Sequence, residues 1–292
     1  MADKPDWRSD GRDWPNAGAS RFLSVGGLDW HVQVAGEGPD LLLLHGAGAA
    51  THSWRDLIPL LATQFRVIAP DLPGHGFTGT PHEALSLPTM ARRTAAVLRA
   101  LEARPALLVG HSAGAAVALR LALDGAAPGA GVVGINAALK PFAGAAAPLF
   151  RTLALGLFAN PLAIGVFSAA ARDAARVKRL IEGTGSHLDA RGIELYGRLF
   201  RRRGHVSATL GMMGAWDVQA LLDDLPRLEG RLTLIVGDRD LAVPPAVSRG
   251  VAASRPGTEV VSLAGVGHLA HEEAPDAVAE ILARLARQER AS

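Results

Sequence analysis

The sequence predicts an α/β protein: a mostly parallel central sheet with helices on both faces and a helical cap inserted before the last strands. Three observations carry this reading. Short, continuously apolar runs such as 41–44 alternate with helical patterns such as 87–103, as in parallel sheets covered on both faces. One such run, 106–109, breaks at Gly110-His111-Ser112-Ala113-Gly114 into a small-residue helix over 113–119. The alternation stops over 138–215, which reads as helical throughout, rich in Ala, Leu and Phe and punctuated by Gly and Pro. With 292 residues, 49% hydrophobic and 20% charged, the chain can bury a sizeable core, and wholesale disorder is not expected.

In chain order, residues 1–20 form a polar lead-in with Trp7 and Trp14, expected to pack on the surface of the body. Leu28-Asp29-Trp30-His31-Val32-Gln33-Val34 alternates apolar with polar, the mark of a half-exposed antiparallel strand. Gly36-Glu37-Gly38-Pro39 is a turn. Buried strands follow at 41–44 and 65–69, with a helix over 54–62 between them. A helix over 87–103 leads to the strand that ends at Gly110. Further strands are read at 131–136, 232–237 and 259–263, with a helix over 245–253 between the last two and an amphipathic helix over 278–285 closing the chain. The chain thus divides into a first core part (1–137, with the lead-in 1–20), a helical cap (138–215) and a second core part (216–292).

The chemistry is read from the loops after the strands. A serine on a tight strand-to-helix turn sits in a strained backbone, and a Cβ at Gly110 or Gly114 would crowd the neighbouring elements. The turn lifts Ser112 Oγ out of the sheet and leaves the Ala113 N–H at a helix N-terminus, where an oxyanion is stabilised. Gly-x-Ser-x-Gly recurs by chance in glycine-rich chains; the strand before and helix after make it specific. A serine nucleophile needs a base, and the base an orienting carboxylate. His268, in Gly265-Val266-Gly267-His268 beyond the last strand, is the expected base, with His271 the nearby competitor. Either Asp238 or Asp240 in Gly237-Asp238-Arg239-Asp240 can serve as the acid. Asp240 is preferred because it lies further into the loop, ahead of the stiff Val243-Pro244. The alternative acid position after the strand ending at Asn136 carries no carboxylate. His45-Gly46-Ala47-Gly48 supplies the second oxyanion donor, the Ala47 N–H, with His45 bracing the loop. Asp71-Leu72-Pro73-Gly74-His75-Gly76 reads as a scaffold turn. His52, Trp54, His111, Met212, Met213 and Trp216 are candidate pocket walls. No cofactor and no metal are expected: His268-x-x-His271 has ligand-like spacing but lacks a third ligand.

Composition narrows the partners. The absence of cysteine excludes disulfides and thiolate chemistry. The polar start Met1-Ala2-Asp3-Lys4-Pro5-Asp6 has no apolar segment of the secretory kind, so the cytoplasm is expected, with a setting peripheral to the inner membrane as the variant. Net charge is +2, yet residues 139–215 hold 11 basic and 4 acidic residues against 19 and 24 elsewhere. A basic insert on an acidic body suits an anionic ligand, a lipid surface or a protein partner. It does not suit nucleic acid, because the basic residues lack interleaved aromatics. Residues 152–171 run twenty positions without a charge, interrupted by Asn160-Pro161. Two short apolar helices lining a pocket are expected there, ahead of shallow interfacial insertion.

Together, His45-Gly46-Ala47-Gly48, Asp71 to Gly76, Gly110 to Gly114, Asp240 before Val243-Pro244, and Gly267-His268 resemble the α/β-hydrolase superfamily over the chain from residue 20 onward. The order Ser, Asp, His is that of the fold. A finer resemblance lies outside these motifs: Asp10-Gly11-Arg12-Asp13-Trp14-Pro15-Asn16, Thr51-His52-Ser53-Trp54-Arg55-Asp56-Leu57, Gly183-Thr184-Gly185-Ser186, and Gly211-Met212-Met213 with Trp216-Asp217. These are similar to the magnesium-chelatase accessory hydrolase subfamily of bacteriochlorophyll biosynthesis. That resemblance implies a role around magnesium insertion into protoporphyrin. A tetrapyrrole, a flat apolar disc with carboxylates on one edge, suits apolar cap helices rimmed by Arg172, Arg176, Lys178, Arg179 and Arg201-Arg202-Arg203.

The expected activity is a cofactor-free serine hydrolase acting on an ester, thioester or activated carbon–carbon bond. A serine nucleophile argues against relatives that use aspartate, such as dehalogenases and epoxide hydrolases; the latter also need paired cap tyrosines, and the chain has only Tyr196. A binding factor that holds a pigment precursor or a chelatase subunit while keeping an intact triad is the rival, and a lipase-like enzyme at a membrane surface the third reading.

Overall fold

The computed structural model describes residues 3–140 and 160–291. Among the described residues eight strands form one sheet: β1 (Ser20–Val25), β2 (Leu28–Ala35), β3 (Asp40–Leu44), β4 (Arg66–Pro70), β5 (Pro105–His111), β6 (Gly131–Ile135), β7 (Leu232–Gly237) and β8 (Glu259–Leu263). Their spatial order is β1-β2-β4-β3-β5-β6-β7-β8. β2 pairs antiparallel with β1 and β4, and every other pairing is parallel.

The period-two geometry of the strands divides the core into two layers. Leu42, Leu44, Ile68, Leu108, Val132 and Leu234 point to one face. There α3 (Leu87–Ala100) and α4 (Ala113–Leu123) cover them with Met90, Val97, Val117 and Leu121. Leu41, Leu43, Val67, Val109, Ile135 and Ile235 point to the other face. They meet Leu57 and Leu61 of α2 (Leu57–Leu61) and Val278 and Leu282 of α12 (Pro275–Ala291). The remaining helices are α1 (Trp7–Asp10), α9 (Gln219–Asp224), α10 (Ala246–Ser254), α11 (Ala270–Glu273) and the cap.

Between β6 and β7 the described chain is helical: α5 (Pro161–Ala170), α6 (Ala174–Glu182), α7 (Ala190–Phe200) and α8 (Arg203–Gly214). Of the uncharged stretch 152–171, residues 152–159 lie outside the described residues. Among the described residues no helix is long and apolar enough to cross a membrane.

Two expectations are corrected. β1 was not anticipated, because its side chains are mostly exposed, Phe22 at 49%, and leave a weak pattern. β2, expected to be half-exposed, is largely buried. Trp30 and Val32 enter one core layer, while His31 and Gln33 are covered on the other side by the lead-in, with the Trp7 ring 5.0 Å from His31.

The lead-in itself is a tie between body and cap. Trp14 is buried, and its Nε1–H donates to Thr51 Oγ1 at 3.0 Å. The Gly204 N–H donates to Asp3 O at 2.7 Å. Arg198 forks onto both oxygens of Asp13 at 2.6 and 2.7 Å, and Arg202 reaches Asp10 at 2.8 Å. Part of the cap's positive excess is therefore neutralised by this acidic strap.

Candidate active site

Ser112 stands between β5 and α4 with φ 51° and ψ −116°, a left-handed conformation that costs a non-glycine residue on the order of 1–3 kcal/mol. The glycines two positions away make the bend possible. A Cβ at Gly110 would lie 2.3 Å from the Gly114 carbonyl carbon, and one at Gly114 would lie 2.2 Å from Leu44 O. The spacing is thus fixed by backbone meeting backbone.

Asp240 and His268 are joined across the loops after β7 and β8. The His268 Nδ1–H donates to Asp240 Oδ2 at 2.8 Å, and this partner assigns the tautomer, leaving Nε2 as the basic nitrogen. Asp240 is buried and fully engaged: Oδ1 accepts from the Ala242 and Val243 N–H groups, each at 2.8 Å, and Oδ2 also accepts from Asn136 Nδ2 at 2.5 Å. Asp238, the alternative acid, instead accepts from the Gly265 N–H at 2.8 Å and so caps that turn.

Ser112 is drawn to the same rim through its neighbour. His111 Nε2–H donates to His268 O at 2.9 Å, and the two imidazole rings lie 4.8 Å apart. No hydrogen bond joins Ser112 Oγ to His268. His271, the competing candidate, is buried, with Nε2 against Ser53 Oγ at 3.2 Å and its ring tilted against that of His111, centroids 4.5 Å apart. Burial holds its pKa down to about 3.

The loop after β3 reaches Ser112 from the other side. A Cβ on Gly46 would lie 3.2 Å from Ser112 Cβ. His45 braces this loop: Nδ1–H donates to Gly46 O at 2.8 Å and Nε2 accepts the Leu72 N–H at 2.9 Å. Burial pushes its pKa down. Neither the Ala47 nor the Ala113 N–H is taken by another group of the described chain. Asp71 bolts the loop to the body, accepting from His31 Nδ1–H, the Thr51 N–H and the Phe77 N–H at 2.7–2.9 Å. Burial raises its pKa, but His31, His45 and the Phe77 N–H outweigh that and hold it below the ordinary carboxylate value.

The suggested pocket walls divide. Trp54 is fully buried in the core layer of α2 and α12, its ring 4.4 Å from His271, so it supports the loop after β8 from below. Met212 belongs to the opposite core layer and Trp216 packs against it, while Met213 is 44% exposed. His111 is buried under His268. His52 is buried edge-on to Tyr196, ring centroids 4.5 Å apart, with no hydrogen-bond partner for either ring nitrogen among the described residues. Tyr196 of the cap donates to Glu272 Oε1 at 2.7 Å, and burial lifts the Glu272 carboxyl to about 8.

Asn136 and Glu272 were missed as site residues. Asn136 has φ 47°, a conformation asparagine tolerates better than most. A strand ending in Asn at the alternative acid position was the available signal. Glu272 follows His268 by four positions, yet its partner is in the cap.

The sequence model of the alpha/beta hydrolase family matches residues 41–281. A protein named magnesium-chelatase 30 kDa subunit, from Rhodobacter capsulatus, is 41% identical over 273 residues, covering 92% of this chain and 95% of that protein. Among solved structures, an alpha/beta hydrolase fold protein from Burkholderia ambifaria superposes with a TM-score of 0.76 at 22% identity, covering 90% of this chain and 97% of the other. A thermophilic esterase from Thermogutta terrifontis gives 0.74 at 22% identity, covering 92% and 98%.

Proposed function

The chain belongs to the alpha/beta hydrolase family, and from that premise we propose that it is a cofactor-free serine hydrolase of an ester, thioester or activated carbon–carbon bond. The observation that carries this reading is the Asp240–His268 bond, set on a buried carboxylate with four donors, beside a serine held at φ 51°. In the proposed reaction His268 Nε2 takes the Ser112 proton as Oγ attacks. Asp240 stabilises the imidazolium, and the Ala47 and Ala113 N–H groups hold the oxyanion. His268 then returns the proton to the leaving group. Water repeats the sequence to release the second product.

The name borne by the Rhodobacter capsulatus relative supports placing this activity beside magnesium insertion. The proposed ligand is an apolar, anionic tetrapyrrole precursor, with a chelatase subunit as the protein partner. The same name favours a second reading, a pigment-binding or assembly factor that keeps the triad without using it. Fluorophosphonate labelling of the wild type beside Ser112→Ala tests the first: a covalent adduct on Ser112 alone is expected, and an unlabelled wild type overturns it. Complementation of a strain lacking the gene separates the readings, since full rescue by Ser112→Ala favours the assembly factor.

A cytoplasmic setting at an anionic membrane surface is proposed on α5. Its apolar stripe leaves Leu162 78% and Val166 71% exposed, and the Arg203 guanidinium lies against Gly165. Exposed apolar side chains beside basic ones suit shallow interfacial contact.

A further inference from the structure

The cap turn 183–187 joins the two loops of the proposed triad, and no step of the mechanism above uses it. It contacts the residues on both sides of Asp240 and on both sides of His268. The Leu241 N–H donates to Thr184 O at 3.1 Å, and the Leu269 N–H donates to the buried Ser186 Oγ at 2.8 Å. The His187 N–H donates to Glu273 Oε2 at 3.1 Å, and Glu273 Oε1 accepts the Gly267 N–H at 3.0 Å. Gly185 fills the centre with φ +85°. A Cβ there would lie 2.0 Å from Arg239 O, and a Cβ on Gly267 would lie 2.2 Å from the Gly185 carbonyl carbon. Acid loop, cap turn and base loop are therefore stacked backbone on backbone.

The turn is itself anchored. Thr184 Oγ1–H donates to Ile181 O at 2.6 Å and the Gly185 N–H to Glu182 O at 2.9 Å. Val177 and Ile181 of α6 pack with Tyr196 in a cluster that also takes in Leu269 of the base loop and Ala49 beside the oxyanion loop.

We infer that Ser186, Gly185 and Glu273 are positioning residues, and that the cap turn holds the acid and base loops in register, so that this side of the cap does not swing as a free lid. The inference rests on the triad reading. Misplacing a catalytic group by 1 Å costs on the order of 10²-fold in rate, so two hydrogen bonds at the base loop are enough to matter.

Ser186→Ala and Glu273→Ala break independent arms of the clamp, and circular dichroism melting checks that each folds. If one does not fold, the other variant carries the test, with Ser186→Thr and Glu273→Gln as the milder versions of each. Fluorophosphonate labelling of Ser112 is resolved into reversible affinity and bond-forming rate, and the downfield proton resonance of the His268–Asp240 bond is followed by NMR. The expected result is a bond-forming rate lower by about tenfold or more with affinity unchanged, a broadened or lost resonance, and partial recovery in Ser186→Thr, which keeps the hydroxyl. Folded variants with wild-type rate and resonance overturn the inference, as does a loss confined to affinity. A wild type that never labels removes the hydrolase reading instead, and the resonance still judges the clamp.

Discussion

Asn136 occupies the position where a second carboxylate could have stood, and its amide is spent on Asp240. Its φ of 47° gives it two roles, backbone conformation and hydrogen bonding, that substitutions separate. Asn136→Gly keeps the conformation and loses the donor, whereas Asn136→Ala loses both. Both are expected to slow Ser112 labelling by roughly tenfold, the scale of a hydrogen bond to a charged group. Only Asn136→Ala should lose additional thermal stability. Glu272 sets a pH dependence. Its folded pKa of about 8 lies above its ordinary value, so the native state holds a proton that the unfolded state gives up, and stability falls as pH rises toward 8. The buried histidines act on the acid side instead: His205 is depressed to about 4 and His271 to about 3, so their contribution is lost as pH drops below 6.5. Melting temperature should therefore decline between about pH 6.5 and 8 in the wild type and level off above 8. In Glu272→Gln, which keeps the Tyr196 partner, that decline should flatten, and an unchanged slope refutes the assignment.

At the scale of elements, the lead-in shows why burial outweighs surface charge. Asp13 binds Arg191 and Arg198, but its side chain is 57% exposed, and exposed pairs contribute only ~0–1 kcal/mol. Trp14, one residue later, is sealed among Ala50, Leu195 and Leu199, and removing such a side chain costs about 3–5 kcal/mol. Urea unfolding should rank Trp14→Ala far below Asp13→Asn in stability. Comparable losses would mean that the ion pairs, rather than the indole, tie the lead-in to the cap. The sequence has Trp14 packing on the surface of the body, but nothing within the polar lead-in reveals the cap helix that covers it there.

Across the whole molecule, charge is distributed unevenly even after the strap has neutralised part of the cap. Arg172, Arg179 and Arg203 are exposed and have no ion-pair partner among the described residues. The surface contact proposed on α5 therefore predicts flotation with anionic vesicles at low salt and release at high salt, as screening shortens the reach of the arginines. Leu162→Glu with Val166→Glu should lower the bound fraction at either salt concentration, while zwitterionic vesicles should bind little. Equal binding to both vesicle types would refute the electrostatic part of the proposal.

What the sequence determined by itself is what a few neighbouring residues encode: apolar runs that fix the buried strands and their two faces, and a glycine spacing that fixes the bend at Ser112. The preference for Asp240 and His268 followed from loops placed after strands, again a local signal. Tertiary structure alone decided which distant polar groups meet. Asn136 and Asp240 are 104 positions apart, Ser186 and Leu269 are 83, and Asp13 and Arg198 are 185. Periodicity says which side of an element is buried, and turn chemistry says where it ends. Neither specifies the partner of a buried amide or hydroxyl, because that pairing exists only once separate loops share one rim of the sheet.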